Sequence, residues 1–216
     1  KDAMLIDKDV DLDYAASEIV KAAFGFQGQK CSACSRAIIH QDVYDELAGK
    51  IVALTQALKV GDAQDPTVNV AAVVNRSAFE DISNYIDVGK GEGKLLAGGG
   101  RNGAQGWYIQ PTVIGDVAPE ARIALLRCKD FDDGLRIANS TEFGLTGAVI
   151  TRDRANIEKA RREFHAGNLY INRKCTGALV GVHPFGGFDM SGTDSKAGGR
   201  DYLLLFTQAK LISERL

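Results

Sequence analysis

The sequence predicts an α/β domain, a mostly parallel sheet flanked by helices, and three observations carry that expectation. Segments of roughly 10–15 residues with apolar side chains at helical spacing alternate with short apolar runs, the pattern of strand–helix–strand units. Glycine is abundant at 24 residues while proline is scarce at 4, which suits many tight turns between regular elements. With 45% hydrophobic and 25% charged residues, the composition is that of a globular chain and excludes a disordered or collagenous one.

Taken in order, residues 13–26 place Tyr14, Ile19, Val20, Ala23 and Phe24 near helical spacing, with Gly25 and Gly28 as stops. Residues 36–40 hold the β-type run Ala37, Ile38, Ile39. Asp42 is placed to N-cap a helix reaching Leu58, with Val43, Leu47, Ile51, Leu54 and Leu58 on one face. A further helix is expected over residues 77–90 along Phe79, Ile82, Tyr85 and Ile86. Short strands follow over 94–97 and 107–109, separated by a glycine-rich turn region over 98–106. Then come strand 123–128, helix 130–139, strand 146–151, helix 154–165 and strand 168–171. The tail, residues 201–216, mixes Leu and Phe with charges and reads as an edge strand that needs a partner. No internal repeat or linker divides the chain, so residues 1–216 are expected to form one domain.

A net charge of −2, with 26 basic and 28 acidic residues and no basic run, argues against a nucleic-acid partner. No apolar stretch approaches the roughly 20 residues of a bilayer-crossing helix, so no membrane span is expected. The start, Lys1-Asp2-Ala3-Met4, lacks an initiator Met and any leader pattern and reads as a cut within a longer protein. Four cysteines are too few for a disulfide scaffold and point to reduced thiols in a reducing compartment.

Three motifs imitate chemistry. Asp7, Asp9, Asp11, Asp13 and Glu18 fall at calcium-loop spacing, but Leu12 occupies the position that needs glycine; the reading is a polar strand exit with helix-capping carboxylates. Gly98, Gly100 and Gly103 match a dinucleotide-binding spacing, yet turn and strand residues follow instead of a helix, so a hairpin-like connection is expected. Cys31 and Cys34 form a CxxC pair, which leaves a redox dithiol open; a metal site would need two further ligands, and Cys128, Cys175, His165 and His183 are isolated.

Cys31 is the candidate nucleophile. Glycines end the helix before it, and residues 32–35 are expected to begin a short helical turn, giving the thiol free backbone N–H groups, a positive dipole end and Lys30 beside it. The same N–H groups would stabilise an oxyanion formed by attack on a carbonyl. A buried cysteine packing as a small hydrophobe is the competing reading.

The run Gly28-Gln29-Lys30-Cys31-Ser32-Ala33 with Arg36, then Pro111-Thr112-Val113, Asn139-Ser140-Thr141-Glu142-Phe143-Gly144, Gly167-Asn168-Leu169-Tyr170-Ile171-Asn172 and Pro184-Phe185-Gly186-Gly187-Phe188 resemble, in order, the catalytic domain of the aldehyde dehydrogenase superfamily. The surroundings of Cys31, together with residues 161–165 and 176–181, resemble the branch that oxidises L-glutamate γ-semialdehyde to L-glutamate in proline catabolism. The resemblance implies that Cys31 attacks the aldehyde, that hydride passes to NAD, and that water hydrolyses the resulting thioester. It implies that Ser32 and the N–H groups of Gly177 and Ala178 hold the substrate α-carboxylate and that Phe185 packs on its aliphatic part. A Thr-Gly-Ala turn is also physically suited to be an anion nest.

The same resemblance implies a cofactor domain, a general-base Glu and an oxyanion Asn outside this chain, hence no turnover by the chain alone; from the isolated ligands above, no metal is expected. It implies a homo-oligomer built through the C-terminal strand, in a bacterial cytoplasm or a mitochondrial matrix. Two departures stand out by the same resemblance: a short family segment is missing after Ile123, for which an omitted disordered loop rather than a true deletion is the expected reason, and Asp189 stands where family members usually carry a basic residue. A non-catalytic assembly or substrate-binding module and a CxxC thiol oxidoreductase remain as alternative functions.

Overall fold

Side chains that alternate between two apolar faces decide the architecture. In the computed structural model, which describes residues 2–103, 105–118, 124–179, 181–192 and 196–215, the strands β1 (Ala3–Ile6), β2 (Arg36–His40), β5 (Ala124–Cys128), β7 (Thr146–Ile150) and β8 (Asn168–Ile171) form one sheet. Its order is β5-β2-β1-β7-β8, and every pairing is parallel. Met4, Ile6, Ala37, Ile39, Ala148 and Ile150 face one core with α1 (Leu12–Phe24) and α2 (Tyr44–Gln56). Leu5, Ile38, Leu126 and Val149 face the other, against α4 (Phe131–Ala138) and α5 (Arg154–Glu163). The result is three layers, helix–sheet–helix, with strands buried on both faces as parallel sheets require.

Helix starts follow local chemistry. Asp11 accepts from the N–H groups of Asp13 and Tyr14, Asp130 from Asp133, and Asp153 from Ala155 and Asn156, each satisfying orphan donors of a first turn. Asn75 does the same for α3 (Arg76–Glu92). The expected Asp42 cap of α2 is not formed: Val43 holds that position without a side-chain bond, and the Asp42 carboxylate sits 3.6 Å from His40 Nδ1 instead.

Three further expectations need correction. The centre of the sheet is β1, a four-residue run that the sequence marks only as the strand before the aspartates. Residues 107–109 are not a strand; Ile109 makes one bridge to Arg101, and the strand paired with β3 (Lys94–Ala97) is β4 (Val113–Gly115), beyond the interruption at Pro111. Within this chain the tail forms no strand: Tyr202–Phe206 is a short 3-10 helix, and the residues after it are exposed, Leu211 and Ile212 among them. The hairpin reading of the glycine run does hold, since Gln110 N donates to Gly100 O and Asn102 N to Tyr108 O. A two-residue ribbon, β6 (Phe143–Gly144) with β9 (Phe188–Asp189), completes the described elements. The Ile123–Ala124 junction, where a gap was expected, falls outside the described residues. Among those residues no helix is long and apolar enough to cross a membrane.

Candidate active site

The turn that carries Cys31 is built from the end of α1. Gly25 N donates to Lys21 O, and Phe26, Gln27 and Gly28 then take positive φ values of 56°, 57° and 68°. Three left-handed residues in succession reverse the chain. A Cβ on Gly28 would come within 2.8 Å of Ala23 O, so the close return is open only to glycine. Gln29 Oε1 accepts from Val74 N at 2.9 Å, tying the turn to the loop before α3. Ala33 N then donates to Lys30 O at 3.1 Å, and Cys34 N returns to α1 at Ala22 O, 3.2 Å away.

The short helical turn expected over residues 32–35 is absent, and with it the dipole argument for Cys31. The chain closes one tight turn at Lys30–Ala33 and runs directly into β2, because Cys34 N and Ser35 N are taken by Ala22 O and Asp2 O. Lys30 Nζ lies 3.6 Å from where Gly25 would carry a Cβ, folded back along the turn. The N–H groups of Cys31 and Ser32 donate to no described atom, whereas those of Ala33, Cys34 and Ser35 are taken.

The two CxxC cysteines have opposite surroundings. All four cysteines are free thiols; Cys31 is exposed, while Cys34, Cys128 and Cys175 are buried. Cys175 donates from Sγ to Ser32 O at 3.4 Å, and its hydrogen bond with the Cys34 thiol, reinforced by burial, holds its own thiol well above the usual range. Cys34 therefore pairs with Cys175 across the sheet edge rather than with Cys31. That contact also joins Ser32, itself buried, to the segment bearing Gly177 and Ala178.

That second segment leaves β8 through Asn172, whose φ is 54° and whose carbonyl accepts from Tyr14 Oη at 2.9 Å. Lys174 N donates to the buried Glu18 carboxylate at 2.9 Å. Gly177 has φ 95°, and neither its N–H nor that of Ala178 is used within the described residues. The turn is closed beyond them by Leu179 N donating to His183 Nδ1 at 3.1 Å, which gives His183 a structural role.

Phe185 is half-buried and held by paired backbone bonds of 2.8 Å to and from Ala197. Asn168, the first residue of β8, accepts from Gly186 N and donates to Pro184 O, so Phe185 sits over the N-terminal end of that strand. Cys31, which precedes β2, shares this N-terminal edge. At the same edge the Arg36 guanidinium is buried and donates to Ile137 O at 2.9 Å, a cation at the C-terminus of α4. Burial raises the Asp2 carboxyl, against the pull of the Thr146 N–H and hydroxyl.

Beneath the turn lies an apolar cavity of about 180 Å³ lined by Ala23, Gly28, Ala33, Cys34, Ile51 and Val113. Cys31 and Gly177 do not line it, so it underlies the candidate site rather than forming it. Among the described residues no group of His, Cys, Asp or Glu could hold a metal ion. Reading the sequence missed Cys175, whose thiol bonds Ser32 O, and gave no role to the basic pair Arg173-Lys174 just ahead of the Thr-Gly-Ala turn.

Comparison with known proteins adds to this geometry. The profile described as "Aldehyde dehydrogenase family" matches residues 1–212. The chain is 58% identical over 224 residues to a 1-pyrroline-5-carboxylate dehydrogenase of Geobacillus sp. (strain WCH70), covering 99% of this chain and 44% of the relative. It is 56% identical to the Bacillus subtilis (strain 168) enzyme of the same name, with the same coverage. Its fold resembles a crystal structure of 1-pyrroline-5-carboxylate dehydrogenase from Thermus with bound NAD, with a TM-score of 0.96 at 46% identity, covering 100% of this chain and 44% of that one. The chain thus spans under half the length of the curated relatives it matches.

Proposed function

The chain belongs to the aldehyde dehydrogenase family, and from that premise we propose that its 216 residues act as one catalytic domain within a longer, NAD-dependent enzyme. The reaction is oxidation of L-glutamate γ-semialdehyde, the open form of 1-pyrroline-5-carboxylate, to L-glutamate. Cys31 is the nucleophile: its sulfur adds to the aldehyde carbon, giving a thiohemiacetal whose oxygen faces the free N–H groups of the turn. Ser32 and the Gly177 and Ala178 amides bind the α-carboxylate, and Phe185 covers the carbon chain. The observation that carries this reading is the exposure of Cys31 alone among four thiols, one residue from the Ser32–Cys175 contact that leads to the Gly177–Ala178 turn.

Among the described residues the glycine run does not fit a dinucleotide. It lies in a hairpin and opens no helix on which a pyrophosphate could rest. On this reading residues outside this chain hold the hydride acceptor, while the chain's own part is to add sulfur to the carbonyl and to hold the carboxylate. The exposed tail, with Leu203, Leu204 and Phe206, supports assembly into a homo-oligomer through that segment. The bacterial relatives and the free thiols fit a bacterial cytoplasm.

Iodoacetamide titration read by peptide mass spectrometry tests the reading. Cys31 is expected to be alkylated first, glutamate is expected to slow that step, and no NADH is expected from semialdehyde and NAD with the isolated chain. Equal labelling of all four cysteines, or a Cys31–Cys34 disulfide under mild oxidation, would overturn the nucleophile assignment.

A further inference from the structure

We propose that Arg173 is a substrate-binding residue that supplies the cationic side of the carboxylate site, and so selects aldehydes carrying an α-carboxylate over those without one. The inference rests on the functional reading above and deepens it. Arg173 Nη2 stands 3.3 Å from where Gly177 would carry a Cβ, and it donates to Thr176 O at 3.2 Å. Its guanidinium carbon lies 4.9 Å from the centre of the Tyr170 ring, a cation–aromatic contact. Arg76, Arg127, Arg136, Arg154 and Arg161 are each paired with a carboxylate. Half-buried Arg173 has no acidic partner among the described residues.

A guanidinium carries five N–H donors in a planar fork suited to a carboxylate, and Thr176 O uses one of them. The neighbouring Gly177 and Ala178 amides are also unused. On the neighbouring Thr176 and on Tyr170, the ring under Arg173, Oγ1 and Oη are buried without a hydrogen-bond partner among the described residues. Two free amides alone would accept many small anions. An adjacent unpaired guanidinium makes the corner prefer a full carboxylate charge.

The test compares how well glutamate and 4-aminobutyrate, which lacks the α-carboxylate, protect Cys31 from iodoacetamide in the wild-type chain and in Arg173→Met and Arg173→Lys. Met keeps the aliphatic stem over Tyr170, and an unchanged labelling rate without ligand checks that the turn is intact. Arg173→Met is expected to raise the half-protecting glutamate concentration roughly ten-fold or more, the scale of one charged hydrogen bond. The 4-aminobutyrate value should stay unchanged and Arg173→Lys should fall between. Equal protection of wild type and Arg173→Met overturns the role of Arg173 and leaves the amide cradle standing. An equal loss for both ligands makes Arg173 structural and also overturns the proposal. Failure of glutamate to protect the wild-type chain removes the functional reading itself, and the inference with it.

Discussion

Ser35 N donates to Asp2 O at 3.2 Å, so the strand β1 and the turn carrying Cys31 touch, yet they are held by different means. In β1, Ala3, Met4, Leu5 and Ile6 are no more than 2% exposed and alternate between two apolar cores. The turn has little apolar contact to lose; Phe26 is 66% exposed and Cys31 is open to solvent. Its shape comes from left-handed residues and from single bonds to Val74, Ala22 and Asp2. A reactive sulfur must be reachable, which excludes the packing that fixes β1. Backbone geometry takes over where burial cannot serve.

The contrast is sharpened by damaging each region separately. Leu5→Ala removes a fully buried side chain that packs over Gly134 and should cost about 3 kcal/mol in urea denaturation. The alkylation rate of Cys31 under native conditions should not change; a large change would mean that core and turn are one cooperative unit. Gly28→Ala does the reverse. It forces a Cβ to within 2.8 Å of Ala23 O at φ 68°, for about 1–2 kcal/mol of stability, and it should shift the Cys31 labelling rate. An unshifted rate would break the claim that backbone geometry presents the sulfur.

The same division explains what the sequence made legible. Helices with a capping carboxylate and one apolar face, such as α4 behind Asp130, are visible because both signals are local. So was Cys31 as a candidate, since glycines and a family-like run surround it. β1 gave little periodicity because a strand buried on both faces shows only a short apolar run. The Cys34–Cys175 contact and the placing of Arg173 over Tyr170 were not legible. The first joins residues 141 positions apart through tertiary packing, and the second depends on how the chain turns at Asn172, where φ is positive. The expected helical turn at residues 32–35 failed for a similar reason: bonds to Ala22 O and Asp2 O from elsewhere in the fold claim the amides that would have started it.

The weakest lever on the comparison is pH. Burial, with the nearby Asp133, Asp130 and Asp7 charges, pushes the Cys128 thiol up to about 12 from an ordinary 9.0. The folded chain keeps its proton where the unfolded chain has already lost it. This contribution is whole below pH 9.0 and drains away as pH climbs toward about 12. Against Cys128→Ala in reductant, the wild-type chain should therefore lose relative stability across that interval, by less than about 1.4 kcal/mol per pH unit. An alkaline slope that Cys128→Ala leaves unchanged would take that thiol out of the packed layers and erase the distinction between the two regions.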